Sequence, residues 1–459
     1  MNIESNIRLG KLFLILLHLV LLYVGFFAAY GVYEALSSTN DLLINHQLIL
    51  ITSLVAIVSF NLFDLYSSWK RKSIKNLVYS IVLALSTVCL INLGISWFSE
   101  VPLSSGLVLL VFAFQLFFIG GMHIPLWSIQ KKNHGLKKVL IIGEDKGEDA
   151  GLAKKILKHQ PGWFQVHGYT NVKNKNLTKS DLSVVDAVLI SPSITEDKKA
   201  EMVQLISSNG KEIMVVPTFY NLLLTELKPE QIDDMLVYSL KPMVANKGTL
   251  QVKRLIDFVF SILIIIAASP IIIALFVLIP LTSRGPAIFK QERIGLHEKP
   301  YITYKFRSMV QDAEKLTGPV LASEHDPRIT KLGRIMRALR LDELPQLFNV
   351  VKGDMSLVGP RPERDFFIKK FKKDIPEYEH RFAVKPGITG VAQVLANYTT
   401  TVEDKLRFDL LYVRNLSLIL DIKILFQTLR VVLQREQAKG VADAEIEETQ
   451  KKIKVMEQH

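Results

Sequence analysis

Four apolar runs fill the first quarter of the 459-residue chain, at residues 12–33, 47–66, 77–98 and 105–127. Each holds about 20 residues, enough for a helix to cross a hydrocarbon core ~30 Å thick. No small-residue cleavage site follows the first run, which argues against a removed leader. A buried core helix of a soluble protein explains one such run but not four in succession. The loops give an orientation. Arg8 and Lys11 precede the first run, Lys70, Arg71, Lys72 and Lys75 lie between the second and third, and Lys131, Lys132, Lys137 and Lys138 follow the fourth. The other two loops hold Glu34, Asp41 and Glu100 but no Lys or Arg. By the positive-inside rule both ends of the bundle face the cytoplasm.

Composition agrees with this reading. Hydrophobic residues make up 49% of the chain, and the formal net charge is +12. A basic balance favours anionic partners, and with this much apolar sequence those are membrane and phosphate rather than nucleic acid. The lone Cys89 allows neither an intramolecular disulfide nor a cysteine metal site.

From Lys138 the pattern changes. Val139-Leu140-Ile141-Ile142-Gly143 reads as a buried strand, with further strands at 164–169, 187–190 and 213–216 and helices near 149–159 and 196–207. Alternation of this kind predicts a small parallel α/β domain. The turn Gly143-Glu144-Asp145-Lys146-Gly147 lacks the G-x-G-x-x-G spacing, and its two acids would repel a pyrophosphate. The segment therefore reads as a cofactor-free regulatory or structural domain.

A fifth apolar run, 258–280, is long enough to span. The stretch beyond it, to Arg435, carries about nine more Lys+Arg than Asp+Glu, which disfavours export. Ser269-Pro270 interrupts the run, and a proline removes a backbone hydrogen bond and bends a helix. With Lys253 and Arg254 before it and Arg284 after it, both flanks suit one leaflet. The expected geometry is a re-entrant hairpin that breaks at Ser269-Pro270 and returns, against the alternative of an ordinary kinked crossing.

Basic clusters follow: Lys290 and Arg293; Lys305 and Arg307; then Arg328, Arg334, Arg337 and Arg340. Singly each reads as a solvated helix face; their density suits a diphosphate substrate. Beyond them, Leu341-Asp342-Glu343-Leu344-Pro345-Gln346 sets two adjacent carboxylates in an apolar frame. Proline is tolerated in a first helical turn, so a helix is expected to begin near Asp342. There a carboxylate is either a cap or an ionised nucleophile for phosphorus. Glu343 beside it is suited to Mg²⁺. Of the later segments, 364–373 mixes aromatics with lysines and suits an anionic surface, and 417–433 is amphipathic.

The stretch from Lys253 to about Leu433 resembles the bacterial sugar transferase family, the polyprenyl-phosphate phosphoglycosyl transferases. The resemblance rests on Lys253-Arg254 with Ser269-Pro270, Lys305-Phe306-Arg307-Ser308-Met309, the Leu341–Gln346 stretch, Gly353-Asp354-Met355-Ser356-Leu357-Val358-Gly359-Pro360-Arg361-Pro362, and Lys385-Pro386-Gly387-Ile388-Thr389-Gly390. Where the family commonly has arginine before Pro-Gly-Ile-Thr-Gly, this chain has Lys385, which keeps the charge but not the bidentate fork. The front end is similar to that of the large members that initiate capsule, exopolysaccharide or O-antigen synthesis.

The resemblance implies a membrane α plus α/β architecture. Residues 1–135 would form a four-helix transmembrane domain and 136–245 a Rossmann-like (CoA-binding-like) domain. Residues 250–435 would form the catalytic domain with a hairpin at 255–282, ahead of a polar tail at 436–459. It implies that Asp342 attacks the β-phosphate of a UDP-sugar, releasing UMP, and that undecaprenyl phosphate then takes the sugar phosphate. Glu343 would hold Mg²⁺; Arg361, Arg337, Lys305 and Arg307 would bind substrate phosphate; Lys253 and Arg254 would sit near lipid headgroups. The site would lie on the cytoplasmic side of a bacterial plasma membrane, with membrane lipids as partners and a homodimer by analogy. No motif marks the sugar.

Two other classes compete. A nucleotide-sugar dehydratase or epimerase needs an intact glycine fingerprint and a Tyr-x-x-x-Lys on a helix; the one such spacing in the α/β segment, Tyr169 to Lys173, follows a strand too soon after Gly143. A non-enzymatic scaffold or export component gives no reason for Asp342, Glu343 and Arg361 together.

Overall fold

The computed structural model describes residues 2–37, 46–66, 73–98, 104–159, 163–173, 177–224, 228–232, 235–239, 246–311, 313, 326–396 and 400–434. The tail at 436–459 and the basic loop Lys70–Lys72 lie outside them. The chain divides into two compact units, Met1–Val216 and Pro217–Asp443.

In the first unit, helices α1 (Asn2–Leu36), α2 (His46–Leu62), α3 (Ile74–Phe98) and α4 (Ser105–His134) account for the four apolar runs. Three contain stretches long and apolar enough to cross a membrane. α2 is shorter than its run, because the chain leaves the helix after Leu62 and turns through Asp64, which holds a left-handed φ of 66°. Polar side chains join the helices: His18 Nε2 lies 2.7 Å from His123 Nε2, and the Thr52 hydroxyl donates to Asn92 at 2.8 Å. Gly25 allows Gln115 to reach the Leu22 carbonyl; a Cβ there would lie 2.9 Å from Gln115 Cγ.

A parallel sheet follows, built from β1 (Lys137–Gly143), β2 (Phe164–Asn171), β3 (Ala187–Ile190) and β4 (Glu212–Val215) in the order β2-β1-β3-β4. Its helices are α5 (Lys146–His159), α6 (Lys179–Ser183) and α7 (Glu196–Ser208). Val139 and Ile141 face one apolar layer, Leu140 and Ile142 the other, as a central strand buried on both faces requires. After β1 the Asp149 carboxylate packs over Gly143, where a Cβ would lie 2.0 Å from its oxygen. Tyr169 donates to that carboxylate at 2.9 Å, and Lys198 to Glu144 at 2.8 Å. Acid side chains fill the place where a dinucleotide fold cradles phosphate.

The sequence groups residues 217–245 with this sheet, but the described ones among them, 217–224, 228–232 and 235–239, fall in the second unit. α8 (Phe219–Leu223) sends Leu222 into a core with Ile294, Ile368 and Leu410, and the Arg407 guanidinium donates to the Pro217 carbonyl at 3.0 Å. An antiparallel hairpin, β5 (Lys228–Ile232) and β6 (Met235–Ser239), leads to α9 (Lys247–Thr282).

α9 is helical straight through Ser269-Pro270, so the expected interruption is absent. Pro270 cannot donate to the Ile266 carbonyl four residues back, but the Ser269 hydroxyl donates to it at 2.7 Å. In an apolar medium that substitution removes the main cost of the proline. The Lys253 and Arg254 side chains turn to acceptors within the protein. Lys253 is buried, donating to Asp421 at 2.5 Å and to the Val358 carbonyl at 3.2 Å. Arg254 donates to the Val350 and Val351 carbonyls. Both cations are spent on buried acceptors of the protein itself.

Beyond α9 come β7 (Ile288–Ile294) and β8 (Pro300–Phe306), an antiparallel pair, then α10 (Lys331–Ala338) and α11 (Gln346–Lys352). β9 (Ser356–Val358) pairs in parallel with β10 (Gly387–Thr389), and α12 (Asp365–Asp374) lies between them in sequence. α13 (Val391–Leu395), α14 (Val402–Arg414) and α15 (Leu418–Gln434) close the unit. Leu347, Val350, Leu357, Val384, Tyr412 and Ile424 share one core.

Candidate active site

Arg340 ends α10 in a left-handed conformation, φ 58°, which a side chain adopts only at some cost. The turn carries the chain into a short 3₁₀ segment, Leu341–Glu343, and then into α11, with Pro345 at its N-cap position. Asp342 therefore lies ahead of the α-helix, not in its first turn as the sequence suggests. Asp342 and Glu343 are each only 8% exposed.

β8 is set against α11 by Asn349, which is fully buried. Its Oδ1 accepts from the Tyr304 N–H at 3.0 Å and its Nδ2 donates to the Ile302 carbonyl at 2.7 Å. This clamp delivers Lys305 to Glu343: Nζ donates to Oε1 at 3.1 Å. Arg361 Nη2 donates to the same oxygen at 3.3 Å, and Arg340 Nη1 lies 3.8 Å from Oε2.

Arg361 sits on a segment with no regular structure, held by its carbonyls. Pro360 accepts from the Gly387 N–H at 2.9 Å, Arg361 from Arg381 at 2.8 Å, Pro362 from Arg293 at 3.2 Å, and Glu363 from the Ile294 N–H at 3.2 Å. Gly359 and Gly387 make the approach feasible; a Cβ on Gly359 would lie 2.3 Å from the Lys385 carbonyl oxygen.

The two carboxylates respond in opposite ways. Burial pushes Glu343 up, but Lys305, Arg361 and Arg340 outweigh it and hold the group well below the carboxylate range. Burial and the charge of Glu343 push Asp342 up, against the smaller pull of Lys305, Arg337 and Arg340. The helix N-terminus expected to keep Asp342 ionised is not what acts on it. Burial lowers the Lys305 ammonium, and Glu343 raises the Arg361 guanidinium. Asp342 Oδ1 is buried with no hydrogen-bond partner among the described residues. An unsatisfied carboxylate oxygen is costly unless a ligand completes it.

Of the expected site residues, Asp342, Glu343, Lys305 and Arg361 come together, and the Arg337 charge acts on Asp342. Arg307 does not join them. It is buried and donates to the Ser283, Arg284 and Gly285 carbonyls, closing the C-terminal end of α9. The sequence does not single out Arg340, Arg293, Asn349 or Arg381 for the site. Arg340 and Arg293 stand there only as cations in clusters, and nothing in the linear order ties Asn349 and Arg381 to Asp342.

The donor set suits Mg²⁺ in one respect. Among the described residues no group of three or more His, Cys, Asp or Glu forms a self-sufficient metal site. Asp342 Oδ1 and the neighbouring Glu343 are hard oxygen donors, and Mg²⁺ commonly takes one or two carboxylates and completes its shell with substrate phosphate and water.

Residues 248–435 match the family model described as bacterial sugar transferase. The chain is 45% identical over 185 residues to the UDP-N-acetylgalactosamine-undecaprenyl-phosphate N-acetylgalactosaminephosphotransferase of Aeromonas hydrophila, covering 40% of this chain and 44% of that one. It is 38% identical over 251 residues to the undecaprenyl-phosphate galactose phosphotransferase of Salmonella typhimurium, covering 51% and 52%. The chain thus spans about half the length of these two curated relatives. With a sugar transferase of Haemophilus influenzae it shares 30% identity over 337 residues, 66% of this chain and 70% of that one. The motifs, the site they build and these matches agree: the chain belongs to the bacterial sugar transferase family.

Proposed function

We propose that the protein transfers a sugar-1-phosphate from a UDP-sugar to undecaprenyl phosphate through a covalent aspartate. The observation that carries this reading is the buried, unpartnered Oδ1 of Asp342 beside a carboxylate ringed by three cations. Asp342 attacks the β-phosphorus of the UDP-sugar. The bond from that phosphorus to the bridging oxygen breaks, and UMP leaves with the electron pair. A phosphate oxygen of the lipid then attacks the same phosphorus, freeing the Asp342 carboxylate and giving undecaprenyl-diphosphate-sugar. Arg361 and Lys305 bind substrate phosphate and offset its charge, and Arg337 adds to the field at Asp342. Glu343 would hold Mg²⁺, which when bound neutralises phosphate charge. The names of the two relatives above, which join a sugar phosphotransferase activity to undecaprenyl phosphate, support the substrates.

The site works at the membrane surface, with α9 dipping into one leaflet and returning. Residues 254 and 283 would be about 44 Å apart on a straight helix. Yet Arg254 bonds the last carbonyls of α11, and Arg307, just past β8, bonds the carbonyls that follow α9. Asn349 ties β8 to α11. One small group of elements thus holds both ends of α9, which favours ends on the same side of the membrane and a bend within a continuous helix. The loop charges support a cytoplasmic position for that side.

UMP release from UDP-glucose, UDP-galactose and UDP-N-acetylgalactosamine, with undecaprenyl phosphate and Mg²⁺, tests the chemistry. Label from the β-phosphate should be trapped on the protein when the lipid acceptor is withheld. Normal UMP release by folded Asp342→Asn would overturn the nucleophile. Labelling from outside intact cells of a cysteine placed at Lys299, in a Cys89→Ser background, would overturn the re-entrant geometry.

A further inference from the structure

Arg361 is the only one of the site's cations whose backbone lies in neither helix nor strand nor a regular turn. Pro360 and Pro362 narrow its freedom, since proline fixes its own φ and confines the residue before it to extended conformations. What remains is rotation of the peptide plane joining Arg361 to Pro362. The bond from Arg381 to the Arg361 carbonyl, 2.8 Å, removes that freedom.

Both terminal nitrogens of Arg381 are committed. The Nη2 that reaches the Arg361 carbonyl also donates to Asp409 Oδ2 at 2.7 Å, and both side chains are 5% exposed. Nη1 donates to the Tyr378 hydroxyl, and the guanidinium carbon lies 4.8 Å from the Tyr378 ring centroid and 5.9 Å from that of Phe382. A buried ion pair of this kind is a poor source of stability, because apolar side chains of the same volume often do as well or better. Its distinguishing product is directional: Nη2 alone joins the Asp409 carboxylate on α14 to the Arg361 carbonyl, while the Nη1 bond to Tyr378 and the ring beneath it fix the guanidinium plane, an anchorage an ammonium lacks.

We propose that Arg381, aimed by Asp409, is the positioning residue that directs the Arg361 guanidinium at the substrate phosphate. The proposal rests on the phosphate-binding reading of Arg361 above. A pH effect accompanies the geometry. Burial pushes the Asp409 carboxyl up to about 6 in spite of Arg381, with Glu363 adding to the rise and Lys405 opposing it. As pH falls through that value Asp409 takes up a proton, the pair with Arg381 loosens, and the hold on Arg361 weakens.

The test uses the full-length protein in detergent or nanodiscs, with the UDP-sugar that supports UMP release. Arg381→Lys should raise KM for that donor by roughly tenfold to a hundredfold, the span of a lost hydrogen bond to a charged group, with a smaller change in kcat. Adding Arg381→Lys to Arg361→Ala should cause no further loss, because the positioned group is gone. Asp409→Asn should hold KM near its acid-side value and flatten its dependence on pH around 6. A raised KM in Arg361→Ala with an unchanged KM in folded Arg381→Lys would overturn the positioning role alone. An unchanged KM in Arg361→Ala would fail the phosphate-binding reading and the proposal with it. Multiplicative losses in the double variant, or failure of both Arg381→Lys and Asp409→Asn to fold, would reduce the pair to a structural element.

Discussion

Lys305 Nζ stands 3.1 Å from Glu343 Oε1, and Arg361 reaches that same oxygen. The consequence is a division between two carboxylates adjacent in the chain. Glu343 collects the cations and is held low, while Asp342, whose Oδ1 has no hydrogen bond among the described residues, is pushed up by burial and by its neighbour. Groups whose environments drive them apart take different chemical roles.

The raised Asp342 predicts a trade between stability and activity. A carboxyl whose pKa is higher in the folded state than in the unfolded one favours folding when protonated, and above that range its ionised form costs stability. At neutral pH Asp342→Asn removes this cost along with the nucleophile. The variant should show no UMP release and a higher unfolding midpoint, about 2–4 °C for each kcal/mol regained in a domain of this size. A lower midpoint would contradict the electrostatic account.

The same shift predicts the acid limb of the first half-reaction. Ionised Asp342 is needed for attack, so UMP release should fall with decreasing pH above the ordinary carboxylate range. Lys305 is the strongest of the charges favouring ionised Asp342. Lys305→Met should therefore move the acid limb to higher pH as well as slow the reaction, and pH profiles of kcat/KM for the two proteins read this directly.

Lys253 makes a third test, because its sequence position suggests a headgroup contact and its structure a buried latch. Lys253→Met leaves Asp421 buried beside Tyr412 without its cation. Removing one partner of a buried pair costs about 3–5 kcal/mol, whereas removing both charges costs much less. Thermal unfolding in detergent should show a large loss for Lys253→Met and substantial recovery in Lys253→Met with Asp421→Asn. A lysine that only touched lipid would give a small loss and no recovery.

Arg340 supplies a fourth. Its left-handed backbone costs roughly 1–2 kcal/mol for a residue with a Cβ, and glycine is free of that cost. Arg340→Gly should keep or raise the unfolding midpoint while lowering kcat/KM, since a cation near Glu343 is lost. Unchanged turnover would mean that the guanidinium is idle at the site.

Asn349 shows why part of the site was hidden. In sequence it is one polar residue in an apolar helix, at a position equally suited to solvent. Only the packing of β8 on α11 gives its amide two backbone partners at once. Arg307 shows the converse: in sequence it matches the phosphate-binding arginines, but the end of α9 leaves carbonyls that need donors, and it serves them. An arginine carries the same charge in either setting, so composition cannot separate the two uses.

What the sequence determined by itself is set by short-range physics. Apolar run length specifies the membrane helices, alternation of buried strands and helices specifies the parallel sheet, and the dense motifs around Asp342, Glu343 and Arg361 specify the family. The tertiary structure decided everything that depends on which groups meet across the chain. It turned Lys253, Arg254 and Arg307 inward as latches on α9, carried α8 and the β5–β6 hairpin into the second unit, and shifted adjacent carboxylates in opposite directions. Burial and charge at a point depend on all the elements packed around it, and those are separated in sequence by tens to more than a hundred residues, as Lys253 and Asp421 are by 168.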